Sequence, residues 1–287
     1  MGKWREMTTF VVAGVVKDVS RTIEIDISRF SKIFEPLGAL KFILVESNSG
    51  DNSLESLQTL STKNKNIKFV SLGKSNPALL RTERIAEARN TYLDYILNHP
   101  EYRSADYLVV CDFNNLNKLL TTEAIRNSLL DQDWDVCTAN QSTKYYDIWA
   151  LRHAIWSPND CWQQHSFYRD FGLSPNASLK AAIHSRMLHI PKGSPNIEVE
   201  SAFGGFAIYR MKCVGNARYV GSDQLGKPIC EHVPFHQELR KAGRKIIIDP
   251  GLINAGWVDH TNETRFYRNF VRLANYPIKW VKKKFRF

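Results

Sequence analysis

The stretch ADYLVVCDFNNLN, Ala105–Asn117, joins an apolar run directly to polar residues. The run Tyr107–Cys111 has the length and composition of a β-strand that is buried on both faces. Asp112, Asn114 and Asn115 follow it at once. In parallel α/β sheets, ligands bind beyond the carboxyl ends of the strands. This polar segment is therefore the first place to expect a site.

The same alternation of apolar runs and amphipathic segments extends along the first half of the chain. It predicts a parallel sheet with right-handed crossovers, because strand and helix patterns alternate strictly. The predicted strands lie in segments 8–18, 39–53, 67–73, 105–117 and 134–140, and the predicted helices in 23–37, about 54–62, 81–98 and 121–130.

After about residue 140 the alternation breaks down. The aromatic stretch YYDIWALR, 145–152, predicts a short strand, and four prolines divide segment 157–200 into helices and loops. A further strand is predicted at 201–210 and a last strand at 244–254. Between them, a helix is predicted to begin at Pro234.

The composition is that of a globular protein and argues against a membrane-spanning, secreted or disulfide-rich chain. The 287 residues are 43% hydrophobic and 24% charged, which is typical of a globular chain. Neither an apolar run of 18 residues nor a signal-peptide pattern is present, which predicts a cytoplasmic protein. Five scattered cysteines without a C-x-x-C pair argue against a zinc ribbon or a disulfide framework.

Positive charge is concentrated in the last nine residues. The net charge is +10, and the segment 279–287, KWVKKKFRF, contains five cations and no acid. It is either a solvated basic tail or a peripheral membrane contact in which Trp280, Phe285 and Phe287 enter the interface. Nucleic acid is not expected as a partner, because no nucleic-acid-binding motif accompanies the charge.

Polar residues at three strand ends are candidate ligands. Asp112 and Asn114 offer hard oxygen atoms of the kind that Mg²⁺ or Mn²⁺ prefers, although Asp and Asn are also common in plain turns. The two earlier strand ends contribute the polar residues Lys17, Asp18, Glu46 and Asn48.

The segment RTERIAEARN supplies three arginines on one predicted helix. Near a helix N-terminus, Arg81, Arg84 or Arg89 could bind a diphosphate with bidentate geometry. Surface salt bridges with Glu83 and Glu87 are the alternative.

Two motifs in the second half suggest sugar binding. Asp147, Trp149 and Arg152 combine an aromatic face with a carboxylate and a guanidinium, as carbohydrate sites often do. The alternative is a strand with Trp149 in the core. Gly204 and Gly205 before a strand indicate close approach of a ligand or of another chain segment, or a plain bulge.

The segment CEHVPFHQELR offers a candidate general base. Because Pro234 belongs in the first turn of a helix, Glu231 and His232 are expected just before it or at its cap. A metal site with His236 is the alternative, but the helix is expected to start between the two histidines, so they need not share a face. His260 lies beyond the last predicted strand.

Taken in order, these motifs resemble the glycosyltransferases of the GT-A type. The succession RIAEARN, YLVVCDFNNLN, YYDIWALR, FGGFAIYR, CEHVPFHQELR and IIIDPGLIN is similar to that of the fungal capsule-associated mannosyltransferases and their bacterial relatives. The resemblance covers residues 8–261. It implies a single-domain, mostly parallel α/β fold and the transfer of a hexose or pentose from a nucleoside-diphosphate sugar to a glycan or glycolipid hydroxyl in polysaccharide synthesis.

The resemblance also implies a domain plan and residue roles. The transferase domain would span 1–265, with a nucleotide-binding half at 8–140, an acceptor and catalytic half at 141–265, and the basic tail at 266–287. The implied catalytic residues are Glu231, which is the general base if the enzyme inverts, and His232; retention would require a different role for Glu231. The donor would be bound by Lys17, Asp18, Glu46, Asn48, Arg84, Arg89, Asp112 and Asn114, and the sugar or acceptor by Asp147, Trp149, Arg152, Gly204 and Gly205. A Mn²⁺ or Mg²⁺ site would be formed by Asp112, Asn114 and His260.

One departure from the family pattern leaves alternatives open. Asn114 stands where a D-x-D motif has its second Asp, so the metal site loses one negative charge. Asn114 favours a non-catalytic nucleotide-sugar-binding protein as a rival interpretation. A nucleotidyltransferase, which would share the α/β half, is the other rival. The single glycine of AGVVKD counts against the nucleotidyltransferase, which normally has a glycine-rich loop there.

Overall fold

The apolar runs of the chain form an eight-stranded sheet in the computed structural model, which describes residues 8–256. The strand order is β3-β2-β1-β4-β7-β5-β8-β6. The strands are β1 (Thr9–Val16), β2 (Ala39–Glu46), β3 (Ile67–Ser71), β4 (Tyr107–Cys111), β5 (Val136–Gln141), β6 (Ile197–Glu198), β7 (Phe206–Arg210) and β8 (Ile246–Ala255).

Four of the seven strand pairings are parallel. The pairs β1–β2, β2–β3, β1–β4 and β5–β8 are parallel. Strand β7 is antiparallel to β4 and β5, and β6 is antiparallel to β8. The prediction of a mostly parallel sheet is confirmed. The antiparallel β7, which comes late in the chain, separates β4 from β5 and brings the two halves of the sequence into one sheet.

Nine α-helices and one 3₁₀ helix (His184–Arg186) are present in the described residues. The α-helices are α1 (Ile23–Phe34), α2 (Ser53–Lys63), α3 (Arg81–Asn98), α4 (Pro100–Arg103), α5 (Thr122–Leu130), α6 (Cys161–Asp170), α7 (Pro175–Ala182), α8 (Met211–Val214) and α9 (His232–Lys241). The helix predicted at 81–98 has the same limits in the structure. None of the helices within 8–256 is both long enough and apolar enough to cross a bilayer.

The core explains why these segments adopt these elements. The apolar positions of α1 recur at helical spacing, and Ile23, Ile27, Phe30 and Phe34 are buried in one cluster with side chains of β1, β4 and β7. Burial of such large side chains stabilises the fold by about 1.5–3 kcal/mol each.

Close packing at Gly14 of β1 positions the loop that follows β4. A Cβ atom at Gly14 would lie 2.5 Å from the ring of Phe113, which is itself buried. Only a glycine therefore allows Phe113 to pack beside β1, and that packing directs the chain after Cys111 across the end of the sheet.

The stretch 145–152 is not the predicted strand. It forms a loop with a turn, and only Arg152 makes an isolated bridge, with Ser201. The Asp147 carboxylate accepts a hydrogen bond from the backbone N–H of Ala150 at 3.4 Å. Such local side-chain bonds compete with the ladder of a sheet, which explains why an aromatic sequence forms a turn here.

Helix α9 begins at His232, two residues before the predicted start at Pro234. Proline is tolerated in the first turn because the N–H groups there have no partner within the helix. Both His232 and His236 therefore lie on the helix, with ring centroids 5.7 Å apart. The expectation that the helix starts between the two histidines was wrong.

Candidate active site

Asp112 occupies the carboxyl end of β4, at the point where β7 begins beside it. Its backbone N–H donates to the carbonyl of Gly205 at 3.1 Å, and its own carbonyl accepts from Nδ2 of Asn117 at 3.0 Å. The backbone is thus fixed on both sides, while the side chain remains 38% exposed. The carboxylate is held in place and open to a ligand.

Arg89 of α3 is the positive charge that faces this carboxylate. Its Nη2 atom lies 3.8 Å from Oδ1 of Asp112, and its Nε donates to Oε1 of Glu231 at 3.0 Å. The guanidinium lies 5.2 Å from the ring centroid of Phe203 and 5.5 Å from that of Tyr219. One buried cation therefore links the loop after β4 to the start of α9.

Glu231 directly precedes the first residue of α9. A carboxylate at this position interacts favourably with the positive end of the helix dipole. Glu231 is 7% exposed. Its Oε1 atom pairs with the guanidinium of Arg89 and lies 3.8 Å from Nε2 of the neutral His232.

Asp147 approaches the same place through the two glycines. Its Oδ2 accepts the N–H of Gly204 at 2.9 Å. Gly204 and Gly205 have φ values of +68° and +84°, which L side chains rarely adopt. A Cβ at Gly205 would lie 3.0 Å from the hydroxyl of Tyr146 and 3.5 Å from Oδ2 of Asp112. The two glycines therefore allow other protein groups, including the Asp112 carboxylate, to approach the backbone closely.

A network of buried amides that sequence reasoning missed holds the glycines. Nδ2 of Asn254 donates to Oδ1 of Asn117 and to the carbonyl of Gly204, each at 2.8 Å. Gln141 donates from Nε2 to the same carbonyl at 3.3 Å and to Oδ1 of Asn254 at 3.2 Å. The sequence places Gln141 and Asn254 near the ends of apolar strands. A buried amide needs a hydrogen-bond partner, so these positions were the available signal.

The site contains more negative than positive charge. Burial raises the pKa of Asp112 to about 6; Arg89 opposes this increase, and the carboxylates of Asp147 and Glu231 add to it. Burial also raises the pKa of Asp147, against hydrogen bonds from the backbone of Gly204 and Ala150. Three carboxylates share one buried guanidinium, so an added cation would be stabilised here.

Asp112 and Asn114 provide some, but not all, of the ligands that a divalent ion needs. Asp112 and the exposed Asn114 supply hard oxygen atoms beside an excess of negative charge. Asn115, by contrast, accepts from Arg29 and donates its N–H to Asp26, so it anchors the loop. Within residues 8–256, no three His, Cys, Asp or Glu side chains are grouped to hold a metal. His260 and the tail 266–287 lie outside the described residues.

The carboxyl ends of β1 and β2 form the neighbouring part of the same edge. Oδ1 of Asp18 accepts the N–H of Gly50 at 2.7 Å, which ties the two loops together. Glu46 is buried and accepts from the N–H of Ser49 at 2.9 Å. Asn48, with φ +61°, accepts the N–H of Ser75 at 2.9 Å. Lys17 is exposed at this edge.

Three other predicted site residues have structural partners elsewhere. Arg84 donates to the carbonyl of Leu79 at 2.6 Å. Trp149 and Arg152 both donate to Oδ2 of Asp160, at 2.9 and 3.0 Å. Oδ1 of Asp160 also caps α6. The structure therefore brings Asp147 to the candidate site. Trp149 and Arg152 instead donate hydrogen bonds to Asp160, the buried N-cap residue of α6.

Both histidines of α9 are enclosed. His236 lies between the hydroxyls of Ser201 and Tyr209, each 2.9 Å from a ring nitrogen. His232 is 1% exposed and stacks on Phe203 with ring centroids 3.9 Å apart. Burial and the charge of Arg89 lower the pKa of His236 to about 3 and that of His232 well below its usual value. Both rings are therefore neutral at physiological pH.

Comparison with known proteins identifies the fold. No protein-family model and no curated protein matches this sequence. Among solved structures, S. aureus TarS 1-349 in complex with UDP is similar over 93% of this chain and 64% of that chain, with a TM-score of 0.51 and 13% identity. The mannosyltransferase PcManGT from Pyrobaculum calidifontis, in complex with GDP-Man and Mn²⁺, gives a TM-score of 0.49 at 12% identity over 86% of this chain and 56% of that chain.

The chain spans less than two thirds of the length of these two structures. At this level of identity the likeness to TarS concerns the fold. The chain therefore has the mostly parallel α/β fold of the GT-A glycosyltransferases, as expected from the order of its motifs.

Proposed function

We propose that the chain is a glycosyltransferase that moves a sugar from a nucleoside-diphosphate sugar to a hydroxyl of an acceptor. The observation that carries the proposal is the group formed by Asp112 and Glu231, which both pair with Arg89, and by Asp147, whose charge also acts on Asp112. This group lies beyond the carboxyl end of β4 in a GT-A fold, where ligands of open α/β sheets bind.

The nucleoside is proposed to bind at the ends of β1 and β2, beside Lys17, Asp18, Glu46 and Asn48, and the diphosphate near Asp112. The fixed loops at these strand ends support that assignment, because they form a continuous edge with the end of β4. A Mn²⁺ or Mg²⁺ ion held by Asp112 and Asn114 would supply positive charge to the leaving diphosphate.

Glu231 is proposed to act as the general base of an inverting transfer. The acceptor oxygen forms a bond to the anomeric carbon as the bond from that carbon to the diphosphate oxygen breaks. The diphosphate leaves with the electron pair, and the hydroxyl proton passes to the Glu231 carboxylate. The engagement of Oε1 by Arg89 supports this role, because it fixes the orientation of the carboxylate.

The acceptor is proposed to be a glycan or glycolipid of polysaccharide synthesis, and the donor sugar a hexose or pentose. This part of the proposal follows the resemblance of the motif order to the capsule-associated mannosyltransferases. The composition of 279–287 supports a cytoplasmic protein in contact with the inner membrane surface.

One observation favours a non-catalytic nucleotide-sugar-binding protein as the second candidate. Asn114 is exposed and neutral at the position where a second carboxylate would strengthen metal binding. Under that alternative the site binds a donor but releases no nucleoside diphosphate.

Donor binding and turnover separate the two candidates. We expect one class of nucleotide sugar, from a panel of UDP- and GDP-sugars with Mn²⁺, to raise the melting temperature of the protein. With acceptor present, the wild type should then release nucleoside diphosphate, and Glu231→Gln should release it about 10²–10⁴-fold more slowly. Donor binding without turnover would favour the binding protein, and the absence of both would exclude the proposed function.

A further inference from the structure

We propose that Arg89 is a positioning residue that orients Glu231, and that it does not bind the donor diphosphate directly. The inference rests on the proposed function, because it concerns how the same site holds its base. It assigns to Arg89 a role different from the donor contact implied by the motif RIAEARN.

The guanidinium of Arg89 is enclosed by other protein groups. Arg89 is 5% exposed, and its guanidinium lies between the rings of Phe203 and Tyr219. Its nitrogen atoms are directed to protein groups: Nε to Glu231, Nη1 to the hydroxyl of Tyr92 at 3.3 Å, and Nη2 towards Asp112. A diphosphate would have to displace one of these partners to bind Arg89.

Contacts among aromatic and amide side chains fix the position of the guanidinium. The Tyr92 hydroxyl donates to that of Tyr219 at 3.1 Å, and Tyr219 stacks on Phe235 with ring centroids 4.2 Å apart. Asn90, the residue after Arg89, bonds both the N–H and the carbonyl of Tyr219 at 2.9 Å. Contacts with α3, with Tyr219 and, through Tyr219, with α9 therefore hold Arg89 in one position. Such a fixed side chain is suited to orienting Glu231.

Arg89 also balances the negative charge of two carboxylates. Without Arg89, Glu231 and Asp112 would be two carboxylates in a poorly solvated space with no guanidinium between them. Glu231 would then be expected to turn towards solvent and leave its productive orientation. A lysine offers a point charge without the planar fork, so it cannot reproduce the Nε and Nη contacts together.

A cation open to phosphate is available on the same helix. Arg81, in the first turn of α3, is exposed, and its charge lowers the pKa of Asp112. The donor diphosphate can therefore meet a positive charge near Asp112 without any contact with Arg89.

The test compares donor affinity with turnover in Arg89→Lys. A positioning role predicts that kcat falls by about tenfold or more, while the Kd of the donor nucleotide sugar stays within about twofold of wild type. In the Glu231→Gln background, Arg89→Lys should cause little further loss, because the two residues act as a unit. Arg218→Gln is the matched control: it removes a guanidinium paired at 3.1 Å with Asp94 of the same helix, but at the surface.

The outcomes are distinct. A weaker donor Kd with kcat retained would overturn the inference and make Arg89 a donor ligand, and full activity of Arg89→Lys would overturn it as well. If Arg89→Lys does not fold, Tyr92→Phe replaces it: removal of the hydroxyl that bonds Nη1 should lower kcat and leave donor affinity unchanged. If the wild type neither binds nor turns over any nucleotide sugar, the proposed function itself fails.

Discussion

Nε of Arg89 donates to Oε1 of Glu231 at 3.0 Å, across a sequence separation of 142 residues. This bond connects α3, which belongs to the first half of the chain, to the N-terminal end of α9 in the second half. Through Nη2 the same guanidinium faces Asp112 at the end of β4. The candidate site therefore depends on segments that only the complete sheet brings together.

Replacement of Glu231 by glutamine should reduce kcat by about 10²–10⁴-fold, because the amide cannot accept the acceptor proton. Donor affinity should change little. Steady-state kinetics with saturating donor measures the loss, and Glu238→Gln, an exposed position of the same helix, is the control. An unchanged kcat in Glu231→Gln would remove Glu231 from the chemistry.

Two changes at the end of β4 should change the affinity for Mn²⁺ in opposite directions. Asp112→Ala removes the carboxylate, so it should weaken Mn²⁺ binding and abolish turnover of the nucleotide sugar. Asn114→Asp adds a carboxylate and should tighten Mn²⁺, since hard cations bind charged oxygen more strongly than amide oxygen. Calorimetric titration of Mn²⁺ in the presence of nucleoside diphosphate compares the two. Equal Mn²⁺ affinities in the wild type and both variants would contradict a metal site here.

Gly205→Ala should destabilise the protein and impair the site together. The φ of +84° costs a non-glycine residue about 1–3 kcal/mol, and the new methyl group would press on Leu116 and on the Tyr146 hydroxyl. Gly226→Ala is the matched control: its φ is +73°, but its Cβ would meet no atom within 4 Å. Both variants should lose stability in urea denaturation, but only Gly205→Ala should also lose donor binding. Donor binding retained by Gly205→Ala would contradict the close approach at this position.

Acid should unfold the protein partly through His236. Its pKa is lowered to about 3 in the folded state, so below about pH 6.5 the unfolded chain binds more protons and the free energy of unfolding falls as pH falls. The slope is at most about 1.4 kcal/mol per pH unit for one such group. Urea denaturation between pH 7 and 4 should show a smaller slope in His236→Gln than in the wild type, and an unchanged slope in His189→Gln, an exposed position. Equal slopes in the wild type and His236→Gln would contradict the buried neutral imidazole.

The first half of the fold was predictable because its signals are local. The apolar runs of β1 to β5 and the helical spacing of α1 and α3 each lie within one segment, so periodicity locates them. The loop at Asp147 was not predictable in the same way. Its conformation depends on a bond to Ala150 and on a second bond to Gly204, which lies 57 residues away.

The site was predictable only in its residue types. Asp112, Glu231 and the glycine pair were visible as polar or flexible residues at element ends. The sequence did not predict which of Arg84 and Arg89 is buried, although Arg89 precedes the buried Tyr92 by three residues and so shares its helix face. The amide pair Asn117 and Asn254, 137 residues apart, had no local signal that linked its members.

A crystal structure of the protein with the nucleotide sugar that stabilises it, grown with Mn²⁺, tests the central claim most directly. We predict density for the diphosphate beyond the carboxyl end of β4, beside Asp112, with the base at the ends of β1 and β2. Arg89 should remain paired with Glu231 in that complex. A nucleotide bound away from Asp112, such as in the groove between α3 and the segment 219–222, would contradict the account.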